Sequence, residues 1–190
     1  MSEPIGGIAR IGHPILRRLS ASVGADGLEK FDLDELSRCL SAVLHRYRAD
    51  GTAAPLVGTA VRVIAVDPAN MCQVRRLSGV ESGVLVHYDP ELTPLAAETV
   101  LDYEACLCIP GVVGAVARPS SIHYRATTGD GEQVDWELHG RAARVVAHQV
   151  DHLDGVLFLD RAEPRSLCTP RALRTLYLKN IETARAALEF

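Results

Sequence analysis

Residues 145–152 read Val-Val-Ala-His-Gln-Val-Asp-His. As a helix they set Val145, His148, Gln149 and His152 at i, i+3, i+4 and i+7, the stripe by which a helix faces a core. Residues four apart lie one turn above each other, so both imidazoles can direct a nitrogen at one metal ion, with the amide beside it. Any fold built around this helix has to meet an inward-facing polar stripe.

The pattern is that of an H-E-x-x-H metallohydrolase with its acid exchanged for an amide. In such enzymes the glutamate takes a proton from the attacking water and returns it to the leaving amine. Glutamine can hydrogen-bond to that water but cannot accept its proton. With seven histidines in 190 residues, a pair at this spacing can be coincidence, so a third ligand is needed. Glu104-Ala105-Cys106-Leu107-Cys108 supplies a thiol just before Ile109-Pro110-Gly111, where a strand should end and a side chain can lean toward the helix. One Cys and two His leave a tetrahedral ion one open position. Cys108 is spaced to share a strand face with Cys106 and reads as packing there. His13, His45, His87, His123 and His139 lack ligand spacing and read as surface or hydrogen-bonded core residues.

Elsewhere, Asp32-Leu33-Asp34-Glu35 resembles a capping box, and Leu33, Leu36, Leu40, Val43, Leu44 and Tyr47 keep helical spacing until Ala49-Asp50-Gly51 stops it. Val61 to Val66 and Val84 to Tyr88 read as short strands, and Ile122 to Thr128 pairs with Gln133 to Leu138 across Gly129-Asp130-Gly131 as a hairpin. Arg141 to Asp154 is the histidine-bearing helix, closed by Gly155. Pro170 opens a final helix, over about residues 170–188, with Leu173, Leu176, Tyr177 and Ile181 on one face. No linker or repeat interrupts residues 1–190. The expectation is one α+β domain with antiparallel sheets around a central metal-binding helix and a C-terminal helix. An apolar share of 47% argues against disorder, and a net charge of −4 offers no basic face for nucleic acid. Without a signal segment or an apolar run of about 18 residues, no membrane partner and a cytoplasmic location are expected. Nothing in the pattern bears on oligomeric state.

At Ile11-Gly12-His13-Pro14-Ile15-Leu16-Arg17, Asp89-Pro90-Glu91-Leu92-Thr93-Pro94, Glu104-Ala105-Cys106-Leu107 and Asp151-His152-Leu153-Asp154-Gly155-Val156-Leu157-Phe158-Leu159-Asp160-Arg161, the chain resembles the peptide deformylases. These enzymes remove the formyl group from new polypeptides, and the likeness covers about residues 8 to 168. It implies one divalent ion, Fe2+ or Zn2+ with Ni2+ able to substitute, held by Cys106, His148 and His152. It also implies a peptide or small-molecule substrate, and backbone N–H groups near Leu56 and Leu107 that hold the oxyanion. Glu104 and Asp151 are expected to support the ligands from behind, with Arg141 and Arg144 as their partners.

The chain departs from all three family signatures. In the first, Ala49 through Leu56 matches a Gly-rich segment, and Leu56 replaces a glutamine whose amide helps hold the oxyanion. In the second, Ala105 and Cys108 stand where glycine and serine are usual. In the third, Gln149 replaces the acid. Val113 occupies a position where many members carry a substrate-facing arginine. General acid-base help contributes roughly 10² to 10⁴ in rate and one oxyanion donor about 10² to 10³, so losing both leaves on the order of 10³-fold or more below an intact site. Three readings follow. One is a weak or altered amide hydrolase, with Glu104 or Asp154 as its candidate acid; the others are a ligand-binding pseudoenzyme and a tailoring enzyme for a specialised metabolite.

Overall fold

The structure, a computed structural model, describes residues 7–23, 30–80 and 83–190. Its elements in chain order are α1 (Lys30–Tyr47), β1 (Gly51–Ala53), β2 (Val63–Val66), α2 (Cys72–Ser78) and β3 (Leu85–Pro94), followed by β4 (Thr99–Cys106), β5 (Ile109–Pro119), β6 (Ser121–Thr128) and β7 (Gln133–His139). Helices α3 (Gly140–Leu153), α4 (Phe158–Arg161), α5 (Pro170–Thr175) and α6 (Ile181–Leu188) complete it. Strands β1-β2-β3-β6-β7 form one antiparallel sheet, and β4-β5 form a separate two-stranded one. The architecture is the expected α+β arrangement.

Every residue of β2 is buried because helices cover both sides of the sheet there. Ile64 and Val66 face α3, whose Ala143, Val146, Val150 and Leu153 join them in one apolar cluster. Val63 and Ala65 face α1 through Leu36, Leu40 and Leu44. A strand covered on both faces reads as a continuous apolar run. By contrast β6 alternates, burying Ile122, Tyr124 and Ala126, as expected for a strand with one covered face. His87 lies beneath this region, its Nδ1 2.8 Å from the Tyr124 hydroxyl. Burial lowers its pKa to about 4, so it is a neutral core residue, as its lack of ligand spacing indicated.

Several boundaries differ from the pattern-based expectation. Helix α1 has already begun at Lys30, so Asp32 lies inside it rather than ahead of it, and the Asp32 side chain is outside the described residues. Strand β3 does not stop at Tyr88; a bulge with Asp89 at φ 46 carries it on to Pro94. The C-terminal helix is split. Leu178 and Lys179 take left-handed backbone, Lys179 N–H bonds back to Leu173 O, and the Asn180 side chain accepts from Thr183 N–H to start α6. A good N-cap within the apolar stripe thus overrides the stripe's continuity. Among the described residues no helix is long and apolar enough to cross a membrane.

Candidate metal centre

Helix α3 turns the predicted stripe inward, with His148, Gln149 and His152 all buried. The tip of the β4–β5 hairpin meets it. Ligand atoms of Cys106, His148 and His152 lie within 4.8 Å of one another, and Cys106 Sγ is 3.2 Å from His152 Nε2. Ligands at Zn-like bond lengths around a tetrahedral ion stand about 3.5 Å apart, so the cluster needs little movement to close on one.

The two rings are held differently. His148 Nδ1 lies 2.8 Å from Glu104 Oε2, which holds a proton on Nδ1 and leaves Nε2 as the nitrogen available to the cluster. Phe158 stacks on the same ring at 6.3 Å. His152 Nδ1 is buried without a hydrogen-bond partner, so the orientation of that ring rests on packing and on what its Nε2 meets. The Cys106 thiol is pulled well below its ordinary pKa by a hydrogen bond from Cys108, against the opposing effect of burial, with His148 and His152 adding to the pull. A thiolate and two imidazole nitrogens, one already oriented by a carboxylate, suit a borderline divalent cation.

Glu104 and Asp151, expected behind the ligands, belong to a larger ionic network. Arg118 lies between them, its Nε and Nη2 each 2.9 Å from Glu104 and its Nη1 bonded to Asp151. Arg144 reaches Glu104 at 2.8 Å, and Arg161 clasps both oxygens of Asp151 at 2.7 Å. Of the two arginines expected there, Arg144 is in place, whereas Arg141 pairs with Asp50 instead. Burial alone would raise the Glu104 pKa, but hydrogen bonds from Arg118 and His148 outweigh it and hold the carboxyl well below the usual range. Arg118 was missed in the sequence. Its signal was a lone cation directly after the apolar run Val112 to Ala117, since a charge placed at the end of such a strand and buried needs acids beside it.

A cavity of about 590 Å³ opens beside the cluster, with Cys106, Leu107, His148, Gln149, Val145 and Leu56 in its wall. Leu56 is 1% exposed, at the end of β1's extension into a 3-10 turn over Ala54–Val57. Gly51 lies against Gln149 so closely that an added Cβ would sit 3.0 Å from its Cγ and Nε2. The glycine thereby leaves room for the amide. The two substitute acids do not fit a proton-carrying role. Glu104 is locked by Arg118, Arg144 and His148, and Asp154 pairs with Arg62 at 2.7 Å and is absent from the cavity wall. Cys108 does not share a strand face with Cys106. It sits in the turn between β4 and β5, because the register shifts there and Cys106 pairs with Ile109. Val113 lies away from the cavity, 5% exposed and exchanging two backbone hydrogen bonds with Cys168.

The polypeptide deformylase family model matches residues 5–167. The chain belongs to the peptide deformylase family. The peptide deformylase of Dictyoglomus thermophilum is 37% identical over 164 residues, covering 85% of this chain and 95% of that one. Peptide deformylase 1 of Streptomyces coelicolor is 38% identical over 174 residues, covering 90% and 79%. Among solved structures, the Thermotoga maritima peptide deformylase superposes with a TM-score of 0.70 at 30% identity, covering 83% of this chain and 97% of that one. A Met-Ala-Ser-bound class I type b peptide deformylase from Acinetobacter baumannii gives 0.69 at 32% identity, covering 81% and 97%. In this deformylase-family chain, Gln149 and Leu56 stand in the cavity wall beside the Cys106, His148 and His152 cluster.

Proposed function

We propose that this deformylase-family chain acts on the N-formyl amide of N-formylmethionyl peptides and turns it over weakly. The observation that carries this reading is the placement of Gln149 and Leu56 in the wall of the cavity beside an intact Cys106, His148 and His152 cluster. A relative bound to Met-Ala-Ser supports a methionyl peptide as occupant. Cys106, His148 and His152 would hold a divalent ion, Fe2+ or Zn2+ with Ni2+ also suited to the donors, whose chemistry when bound is polarisation of the formyl carbonyl and activation of water. Glu104 keeps His148 in the tautomer that leaves Nε2 free, and Arg118, with Asp151 and Arg161 behind it, keeps Glu104 ionised and fixed.

Gln149 can orient the attacking water through its amide but has no basic site for the proton. Leu56 offers the oxyanion no side-chain donor, so that task falls to backbone N–H groups at Leu56 and Leu107. Neither Glu104 nor Asp154 can stand in as the acid, for the reasons of geometry above. This same exclusion favours, as a second reading, a pseudoenzyme that binds a peptide or small ligand without turnover; a tailoring enzyme for a specialised metabolite would use the same cavity.

The deciding experiment follows deformylation of a formyl-Met peptide by metal-analysed wild type, Gln149→Glu and Leu56→Gln/Gln149→Glu. Restoring the acid should raise kcat by about 10²-fold or more, and the double variant should exceed it. Wild-type turnover close to that of the double variant would refute the assignment of weak activity. Formyl-peptide binding by the wild type with no turnover above background would favour the pseudoenzyme.

A further inference from the structure

Cys108 has no part in the chemistry described so far. It is fully buried and lies outside the three-residue ligand cluster, yet its Sγ is 3.2 Å from Cys106 Sγ. Cys106 itself is half-buried and lines the cavity, so a small oxidant meets one sulfur of the pair first. Leu107 alone separates the two cysteines, within the turn joining β4 to β5. A disulfide requires a sulfur–sulfur separation of about 2.05 Å, roughly 1 Å less than the contact seen.

We propose that Cys106 and Cys108 form an oxidation site in which a peroxide converts the candidate metal ligand into a reversible disulfide. With hydrogen peroxide as oxidant, the Cys106 thiolate attacks one oxygen and the O–O bond breaks. This gives the Cys106 sulfenic acid and hydroxide, which takes up a proton to become water. The Cys108 sulfur then attacks the sulfenic sulfur; the S–S bond forms, the S–O bond breaks, and the departing hydroxide leaves as water with the Cys108 thiol proton. In total two thiols and one peroxide become one disulfide and two waters, two electrons passing from the sulfur pair to the peroxide. A disulfide sulfur is no longer a thiolate donor, so His148 and His152 are left as the only members of the cluster. The buried neighbour also intercepts Cys106 before it reaches the sulfinic and sulfonic states that thiol reductants do not reverse. Cys108 is thus a resolving thiol beside the ligand.

The pair can be read in isolation, because residues 77–125 form one tryptic peptide, Arg118 being followed by Pro119, and it holds no other cysteine and no methionine. The full-length protein, metal-free and Zn2+-loaded, is treated with a several-fold molar excess of hydrogen peroxide and digested after blocking free thiols. In metal-free wild type this peptide should lose about 2 Da, with recovery on adding dithiothreitol. In the loaded protein the same loss should release metal to a chromophoric chelator in step. Cys108→Ser should instead gain about 32 or 48 Da without recovery, and Cys108→Ala serves if the serine variant fails to fold. Oxygen adducts without the 2 Da loss in wild type would overturn the proposal, as would a variant that recovers as fully as wild type. A disulfide that leaves the metal bound would overturn its effect on the site. Since the metal-free arm needs neither metal nor turnover, its failure is distinct from failure of the deformylase reading.

Discussion

Arg118→Met tests whether the ionic network holds the β4–β5 hairpin to α3. Arg118 is 3% exposed, and its partners Glu104 and Asp151 are each 6% exposed. Methionine replaces much of the aliphatic stem but leaves two carboxylates without their shared cation. Removing one partner from a buried ion pair costs about 3–5 kcal/mol. Here Asp151 keeps Arg161, and Glu104 keeps Arg144 and His148, so the lower end applies, about 3 kcal/mol. For a domain of this size each kcal/mol moves Tm by about 2–4 °C, giving a fall of about 6–12 °C at neutral pH. The loss should depend on pH in a defined direction. The folded-state pKa of Glu104 is depressed below its ordinary value of 4.5, so the stability it contributes is present above that value and is lost as pH falls through the folded-state pKa. The deficit of Arg118→Met should therefore be largest near neutrality and begin to shrink below about pH 4.5, where Glu104 takes up its proton in the unfolded chain. Urea unfolding followed by circular dichroism near pH 7 and near pH 4 measures both. A deficit below about 1 kcal/mol at neutrality, or one that does not change with pH, would show that the network does not fasten the hairpin.

Glu104→Gln should weaken metal binding by about 10–100-fold, the usual effect of removing the partner of a ligating imidazole; competition with a chromophoric chelator reads this directly, and unchanged affinity would mean that something else orients His148. Burial lowers the His148 pKa, but Cys106 and Glu104 outweigh it and raise the value from 6.5 to about 9 in the metal-free protein. That proton stabilises the metal-free fold below pH 6.5 and its contribution is lost as pH rises through 9, so metal affinity should climb with pH over this window. A flat affinity profile between these limits would contradict the assigned proton. Gly155→Ala should destabilise by about 1–3 kcal/mol in denaturant titration, because the residue closes α3 at φ +72 and an added Cβ would lie 2.8 Å from Arg17 O; a neutral outcome would mean that the Arg17 segment gives way freely.

What could be read without coordinates was whatever rests on local periodicity. Helix α3 and its buried stripe, the β6–β7 hairpin, the apolar face of α1 and the Gly155 stop each follow from residues within one or two turns of each other. The β4–β5 hairpin was not legible in the same way. Pro110, Gly111 and Gly114 interrupt β5 as turn residues would, and the buried Glu104 breaks the alternation expected of β4. The ligand triad was accessible because two members share a helix and the third has a distinctive neighbourhood. The contacts that support it were not, since Arg118 reaches Glu104 and Asp151 across 14 and 33 residues and no local spacing encodes that convergence. Asn180 illustrates the opposite error, where a long apolar stripe concealed a local stop.

Cys106 and the two histidines come from parts of the molecule that share no strand ladder, since β4 and β5 form a two-stranded sheet apart from the five-stranded one. Their mutual distances are therefore set by how the hairpin docks on α3, a joint bridged by Arg118 between Glu104 of β4 and Asp151 of α3. Because soft and borderline donors order divalent metals by affinity but leave the choice to geometry and availability, the geometric share of that choice rests on this joint and not on any strand pairing.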